Sequence, residues 1–275
     1  MPRDASGEES IVVDRRGDVL ALRLNRPARL NAFSRDMYVL LDELVTEAAA
    51  DPTLRVIVIT GTGRGFSTGG DLKQHLERRE RGEDHDPVGY IKPSNHAFET
   101  LLACDKVVVA AVNGPAYAAG LIVTLCADIV IASERATFCV PEGLTGRAEP
   151  WTARLLPSRV GRTTAGWMTL TAEPIDAPTA LAAGLVNRVV AHDELTAATE
   201  QAVTAVLRSS PQALSFYRRL LNEAGPTRFD LESIHTTIFS ADTREGTEAF
   251  VARRPPAWTA SWSCPSAWRG GAGEN

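Results

Sequence analysis

Two glycine-rich stretches and one carboxylate carry the chemical content of this chain. The first stretch is Gly61-Thr-Gly-Arg-Gly-Phe-Ser-Thr-Gly-Gly-Asp71, the second is Asn113-Gly-Pro-Ala-Tyr-Ala-Ala-Gly120, and the carboxylate is Glu142 in Val140-Pro-Glu142. Glycines let the main chain come close to a bound group, and the N–H groups of a helix's first turn add a favourable dipole. Loops of this kind can offer amide donors to an oxygen that gains negative charge. Such donors must be held about 3 Å from that oxygen, and losing one typically raises a barrier by about 2.7–4 kcal/mol. A carboxylate supplies what amides cannot, a group that takes up a proton and returns it.

Other reactive residue types fit a site less well. Ser67 lacks the surroundings of an activated nucleophile, and Asp71 reads as a residue that fixes its own loop through backbone hydrogen bonds. His96 and His235 suit core-facing positions, whereas His75, His85 and His192 read as exposed. None of the five lies near the motifs in sequence, and no metal site is expected. Cys104, Cys126, Cys139 and Cys264 show no CxxC spacing, which argues against a zinc knuckle or a redox pair. Three of them lie beside apolar runs, where small buried thiols are common.

The elements that must hold these residues can be read from periodicity. Two β-type runs, residues 11–14 and 19–24, flank a turn at Arg15-Arg16-Gly17-Asp18. Ser34 is a good N-cap, and Met37, Leu40, Leu41, Leu44, Val45 and Ala48 recur at helical spacing until Asp51-Pro52. The continuous apolar runs at 55–60 and 107–112 are of the sort buried on both faces of a sheet. A helix is expected from Asp71, a charged solvated loop at 78–86, and a second helix near 94–104. Residues 117–126 favour a buried helix, while 128–133, 136–138 and 186–190 are strand-like. From Trp151 onward helices dominate, punctuated by Pro157, Gly161, Pro174, Pro178, Gly184, Pro211 and Pro226. The recurring order of strand, strand, helix describes a stacked spiral as well as a doubly wound sheet, and periodicity does not choose between them.

Composition narrows the function classes. The net charge of −5 and a pI near 5.6 give no general attraction to nucleic acid or anionic membrane, so any phosphate on a ligand must be met locally. Residues 1–10 are polar and acidic, unlike a secretory or transit segment, and no apolar run reaches the length of a bilayer span. The expected location is cytoplasmic.

The loop 61–71, the segment 113–120 and Val140-Pro-Glu142, in that order, resemble the motifs of the crotonase superfamily, the enoyl-CoA hydratases and isomerases. Supporting matches run from Leu24-Asn-Arg-Pro-Ala-Arg-Leu-Asn-Ala-Phe-Ser34 to Thr243-Arg-Glu-Gly-Thr-Glu-Ala-Phe-Val251, so the likeness covers about residues 10–258. The resemblance implies an α/β fold, a crotonase-like spiral of ββα turns with a C-terminal helical trimerisation region. On this reading residues 1–190 form the spiral core with an acyl-CoA site, 191–258 the helical oligomerisation region, and 259–275 a disordered tail. It also implies a homotrimer or a dimer of trimers acting on an acyl-CoA thioester, with no separate cofactor because coenzyme A arrives with the substrate.

The same resemblance assigns the oxyanion donors to the N–H groups of Gly70 and Ala119. Arg29, Ala32 and the backbone of Thr68, Gly69, Asp71 and Leu72 become the wall along coenzyme A, with Tyr117, Ile122, Pro141 and Thr145 as further substrate contacts. Lys73, Arg253 and Arg254 are possible phosphate contacts. Family hydratases hold a water between two glutamates; here the second is Glu142 and the first position is Ile122, which neither accepts nor donates a proton. One carboxylate can still remove a proton at C2 of a 3-enoyl thioester and return it at C4, which is isomerisation. The apolar Ile122 is expected to raise the proton affinity of Glu142 by desolvation. Glu149, seven residues on, stands close to where dienoyl-CoA isomerases carry a second acid, although Gly146-Arg-Ala-Glu-Pro150 departs from the family's usual glycine-rich loop. Rival readings are therefore a hydratase or dienoyl-CoA isomerase using Glu149, or a thioester hydrolase or decarboxylase on the same scaffold. Non-enzymatic RNA binding is disfavoured by the acidic balance.

Overall fold

The two β-type runs at the start of the chain pair as an antiparallel hairpin, β1 (Ile11–Arg16) with β2 (Val19–Leu24), joined by Gly17 and Asp18. The remaining strands of the main sheet add in parallel: β3 (Val56–Gly61) on β2, then β4 (Val107–Val112), β6 (Ile129–Ser133) and β9 (Arg188–Val190). A smaller sheet holds β5 (Ala116–Tyr117), β7 (Thr137–Cys139) and β8 (Ile175–Asp176). The chain thus alternates between the two sheets, which selects the spiral over the doubly wound alternative. The computed structural model describes residues 9–81, 87–145 and 149–222, together with Glu245, Arg254 and Ala257. Expectations for residues 1–8, 82–86, 146–148 and the 259–275 tail, and for His235 and Arg253, lie outside the described residues, as does the side chain of His75.

A parallel sheet must be covered on both faces, and β4 shows how its sequence meets that demand. Val108, Ala110 and Val112 join the main core, while Val107 and Val109 pack on the opposite side with Val203 and Val206. Those last two valines belong to α7 (Leu195–Leu207), which covers the outer face with α8 (Pro211–Asn222). The described helices beyond residue 190 therefore pack directly on the sheet.

On the inner face lies α1 (Arg35–Ala50), capped by Ser34, whose Oγ accepts the Met37 N–H at 3.2 Å. It buries Met37, Leu40, Leu41, Leu44, Val45 and Ala48, the six residues read at helical spacing. Beside it runs α3 (Pro87–Ala103), longer than expected because Pro93 sits within the helix instead of ending it. Short helix α2 (Leu72–Glu80) reaches into the segment read as a loop, with Asp71 accepting the Gln74 N–H as its cap. The remaining helices are α4 (Ala119–Cys126), buried along its whole length, then α5 (Pro150–Thr171), bent at Gly161, and α6 (Ala177–Ala182).

Arg218 on α8 locks the outer helices to the core. Only 3% exposed, it pairs with Asp128 at 2.7 Å and donates to the carbonyls of Leu101, Leu102, Cys104 and Cys126. A buried guanidinium is tolerable because nearly all its donors are met. Two histidine expectations are corrected: His96 is exposed on α3, and His192 is half-buried with Nδ1 3.0 Å from the Ser133 hydroxyl. Among the described residues, no helix is long and apolar enough to cross a membrane, and no cluster of three or more metal-ligating side chains occurs.

Candidate active site

The site is built where four chain segments line up edge to edge. Phe33 pairs with Gly70, Ser67 with Ala116, and β5 with β7 through Ala116↔Phe138 and Tyr117↔Cys139, all in parallel. Gly69 and Asp71 make the hydrogen bonds of the first pairing: the Phe33 N–H donates to the Gly69 carbonyl at 2.7 Å, and the Asp71 N–H donates to the Phe33 carbonyl at 2.8 Å. The N–H of Gly70, lying between them, must face the other way. Gly70 borders a cleft, and no protein acceptor among the described residues meets its N–H.

The second amide comes from the start of α4. Ala118 takes an unusual backbone conformation, φ 50° and ψ −121°, and its N–H donates to the Cys139 carbonyl at 3.1 Å. Ala119 is the first helical residue, so its N–H has no partner within the helix, and no side chain caps it. It borders the same cleft.

Two glycines allow these arms to touch. A Cβ on Gly69, whose φ is +101°, would lie 2.5 Å from the Ala118 Cβ and 3.5 Å from the Ala119 nitrogen. A Cβ on Gly120 would lie 2.2 Å from the Ser67 carbonyl oxygen. Any side chain at either position must push the two arms apart.

Glu142 follows β7 and opens a short 3-10 turn, Glu142–Thr145, closed by the Thr145 hydroxyl donating to the Glu142 carbonyl at 2.9 Å. Its side chain is buried, 7% exposed. Nearby, burial together with the negative charges of Glu142 and Glu173 pushes the Cys139 thiol above its ordinary pKa. A cleft of about 350 Å³ is bordered by Gly70, Ala119, Ile122, Glu142 and Glu149. Ile122 of α4, 1% exposed, borders the same cleft with hydrocarbon. Glu149 has two attachments: it borders the cleft, and its Oε1 accepts the Trp151 N–H at 3.0 Å as the N-cap of α5.

Asp71 borders the cleft too, but it is engaged. It pairs with Arg26 at 2.8 Å and caps α2. Burial pushes its carboxyl up, yet the Arg26 guanidinium and the Gln74 amide outweigh that and hold its pKa below the ordinary value. The other expected contacts lie off the cleft wall. Arg29 is exposed beside Asp71, and Leu72 is exposed at the start of α2. Ala32 and Gly69 are buried, and Thr68 and Pro141 are half-buried. The Tyr117 hydroxyl instead pairs with Thr137 Oγ1 at 2.9 Å, and Thr145 is occupied in its turn. Lys73 lies 3.8 Å from Glu77, and Arg254 pairs with Glu245 at 2.6 Å.

The sequence reading missed one wall of the cleft. Phe33 and Tyr38 stack with ring centres 4.8 Å apart, Tyr38 meets Phe98 edge-on at 5.9 Å, and Phe98 meets Trp151 edge-on at 5.7 Å. Phe33, Tyr38 and Phe98 border the cleft, with Arg35, Gln74, Arg78 and Asn95 around them. Only the helical period of α1 hinted at Tyr38, and nothing in the sequence joins it to Phe98.

Comparison with known proteins gives a consistent answer. Residues 14–261 match the family described as enoyl-CoA hydratase/isomerase. The carnitinyl-CoA dehydratase of Salmonella typhi is 30% identical over 262 residues, covering 91% of this chain and 98% of that protein. An enoyl-CoA hydratase/carnithine racemase from Magnetospirillum magneticum superposes with a TM-score of 0.84 at 28% identity, covering 92% of this chain and 96% of the other. DspI from Pseudomonas aeruginosa superposes with a TM-score of 0.82 at 31% identity, covering 93% and 100%.

Proposed function

The chain belongs to the enoyl-CoA hydratase/isomerase family, and from that membership we propose that it forms the enolate of an acyl-CoA thioester and shifts a double bond in the acyl chain. The thioester carbonyl receives the N–H groups of Gly70 and Ala119, which hold the charge that develops on oxygen. Glu142 removes a proton from C2 of a 3-enoyl thioester, giving a dienolate, and returns it at C4, leaving the double bond between C2 and C3. The observation that carries this reading is the buried Ile122 on the cleft wall with Glu142. Hydrocarbon at that place removes the partner that would hold a water for addition. No separate cofactor takes part, since every group in this sequence of steps is an amide or a carboxylate.

A second reading has its own support. Glu149 borders the same cleft, and the Salmonella relative is named a dehydratase. In that case Glu142 takes the C2 proton of a 3-hydroxyacyl thioester while Glu149 delivers a proton to the departing hydroxyl, and water leaves. Incubation with 3-enoyl, 2-enoyl and 3-hydroxyacyl thioesters, with products followed by mass spectrometry and NMR, separates the two. Isomerisation without gain or loss of 18 mass units, unaffected by Glu149→Gln, is expected. Water exchange that disappears in Glu149→Gln replaces isomerisation with dehydration. In either reading Glu142→Gln lowers turnover by about 10²–10⁴-fold while coenzyme A esters still bind. Full activity in that variant removes Glu142 from the mechanism.

The assembly proposed with this function is a homotrimer or a dimer of trimers in the cytoplasm, which light scattering on the full chain checks. The coenzyme A contacts proposed are Arg29, Ala32 and the backbone of Thr68, Gly69, Asp71 and Leu72, of which Asp71 alone borders the cleft.

A further inference from the structure

The pairing that aims the Gly70 N–H is short. Segment 30–35 meets segment 68–71 through backbone hydrogen bonds: Thr68 N–H to the Leu30 carbonyl at 3.2 Å, Phe33 N–H to the Gly69 carbonyl at 2.7 Å, and Asp71 N–H to the Phe33 carbonyl at 2.8 Å. Past that point both segments become helices, α1 and α2, and a side chain makes the next rung. Gln74 Oε1 accepts the N–H of Arg35, the first residue of α1, at 3.0 Å. Asp71-Leu-Lys-Gln74 has the spacing of a capping box, in which Gln74 would reach back to the Asp71 N–H. Here the Phe33 carbonyl has taken that N–H, which leaves Gln74 to satisfy an orphan donor of the neighbouring helix.

The result is a closed circuit. The Asp71 carboxylate accepts the Gln74 N–H at 3.1 Å, the Gln74 carboxamide accepts the Arg35 N–H, and the chain from Arg35 back to Phe33 returns to the Asp71 N–H, directly after Gly70. Apolar packing does not replace it: among the described side chains of α2 none is buried, so the placing of its first turn falls to polar bonds. Gln74 also borders the cleft shared by Gly70 and Ala119. We infer that Gln74 is a positioning residue for the oxyanion amide of Gly70: by fixing the spacing between the starts of α1 and α2, its carboxamide holds the angle at which that N–H meets the thioester oxygen. This rests on the acyl-CoA reading above. The role needs an acceptor at this reach and not an amide as such, so glutamate, which also suits a helix N-terminus, can fill it and leucine cannot.

Infrared difference spectra of bound butanoyl-CoA, a saturated ester that cannot isomerise, read the donors without turnover, because hydrogen bonds to the thioester carbonyl lower its stretching frequency. Gln74→Leu should weaken that lowering and reduce kcat about tenfold with KM changed less, a smaller loss than a full 1 Å misplacement brings. Gln74→Glu should recover most of both. Circular dichroism and melting confirm that each variant is folded, and Gln74→Ala takes the place of Gln74→Leu if the latter fails to fold. A kcat and carbonyl band unchanged in Gln74→Leu overturn the inference, as does a Gln74→Glu variant as slow as Gln74→Leu. A rise in KM alone overturns it too, since Gln74 is then a substrate contact. If the wild-type protein neither binds butanoyl-CoA nor lowers its carbonyl band, the acyl-CoA reading falls and takes this inference with it; if it does both and the variants match it, only the inference falls.

Discussion

Gly69→Ala is the most informative single substitution, because its effect can be worked out from geometry alone. The new methyl would stand 2.5 Å from the Ala118 Cβ, whereas ordinary contact begins at 3.4 Å. One arm must therefore retreat by about 1 Å, and a misplacement of that size near a reacting centre can lower a rate about 100-fold. A 100-fold loss corresponds to about 2.7 kcal/mol, the lower end of what losing one oxyanion donor costs. The substitution also forces a side chain into a φ of +101°, a strain of about 1–3 kcal/mol that should lower the melting temperature. Gly166→Ala is the control, since its methyl would meet only the end of the Arg162 side chain at 3.6 Å, in the body of α5. There alanine should leave turnover unchanged and stabilise the helix slightly. The measurement is kcat and KM for whichever thioester the product panel identifies, beside thermal melts of both variants. A folded Gly69→Ala protein with kcat within threefold of wild type would show that the contact between the two arms does not set the donor geometry.

Two further outcomes concern the frame around the site. Arg218→Leu leaves Asp128 without its cation and several buried carbonyls without a donor, so urea unfolding should show a loss of about 3–5 kcal/mol. A change below 1 kcal/mol would mean that water replaces the guanidinium there. Asp71 has a folded pKa below its unfolded value, so its stabilising contribution is complete above the unfolded pKa and fades as pH falls through the folded one. Asp71→Asn should accordingly cost about 1.5–3 kcal/mol at pH 7, and its deficit relative to wild type should narrow as the pH drops below 4. A deficit independent of pH would mean that the carboxylate's charge is not what holds Arg26 and α2.

The parts of this molecule legible in its sequence are those governed by local rules. The six buried positions of α1 and its Ser34 cap follow from helical period and hydrogen-bond chemistry. The continuous apolar run of β4 announces burial on both faces, as found, while β3 is buried at Val56, Ile57 and Ile59 and half-buried at Val58 and Thr60. Helix α3 begins at Pro87, ahead of the expected start near residue 94, with Pro93 inside it, a place where proline forfeits a helical hydrogen bond and so gives no local sign of helix. Tyr117 sits on a two-residue strand with its hydroxyl 2.9 Å from Thr137 Oγ1, a pairing between strands that its motif does not encode. The rings of the aromatic row escaped for another reason. Their meeting depends on how α1, α3 and α5 lie against one another, and nothing within any one of those segments encodes it.

The edge-to-edge line from Phe33 through Gly70 and Ala116 to Cys139 has a consequence for how the protein is made. Its members are scattered over more than a hundred positions, and the last carbonyl to arrive, that of Cys139, is the one that anchors Ala118. During synthesis from the N-terminus, the two amides cannot be fixed together until that carbonyl has left the ribosome. On the proposed mechanism, ribosome-bound intermediates that end before Cys139 are expected to be catalytically silent, so turnover would read out that long-range assembly is complete.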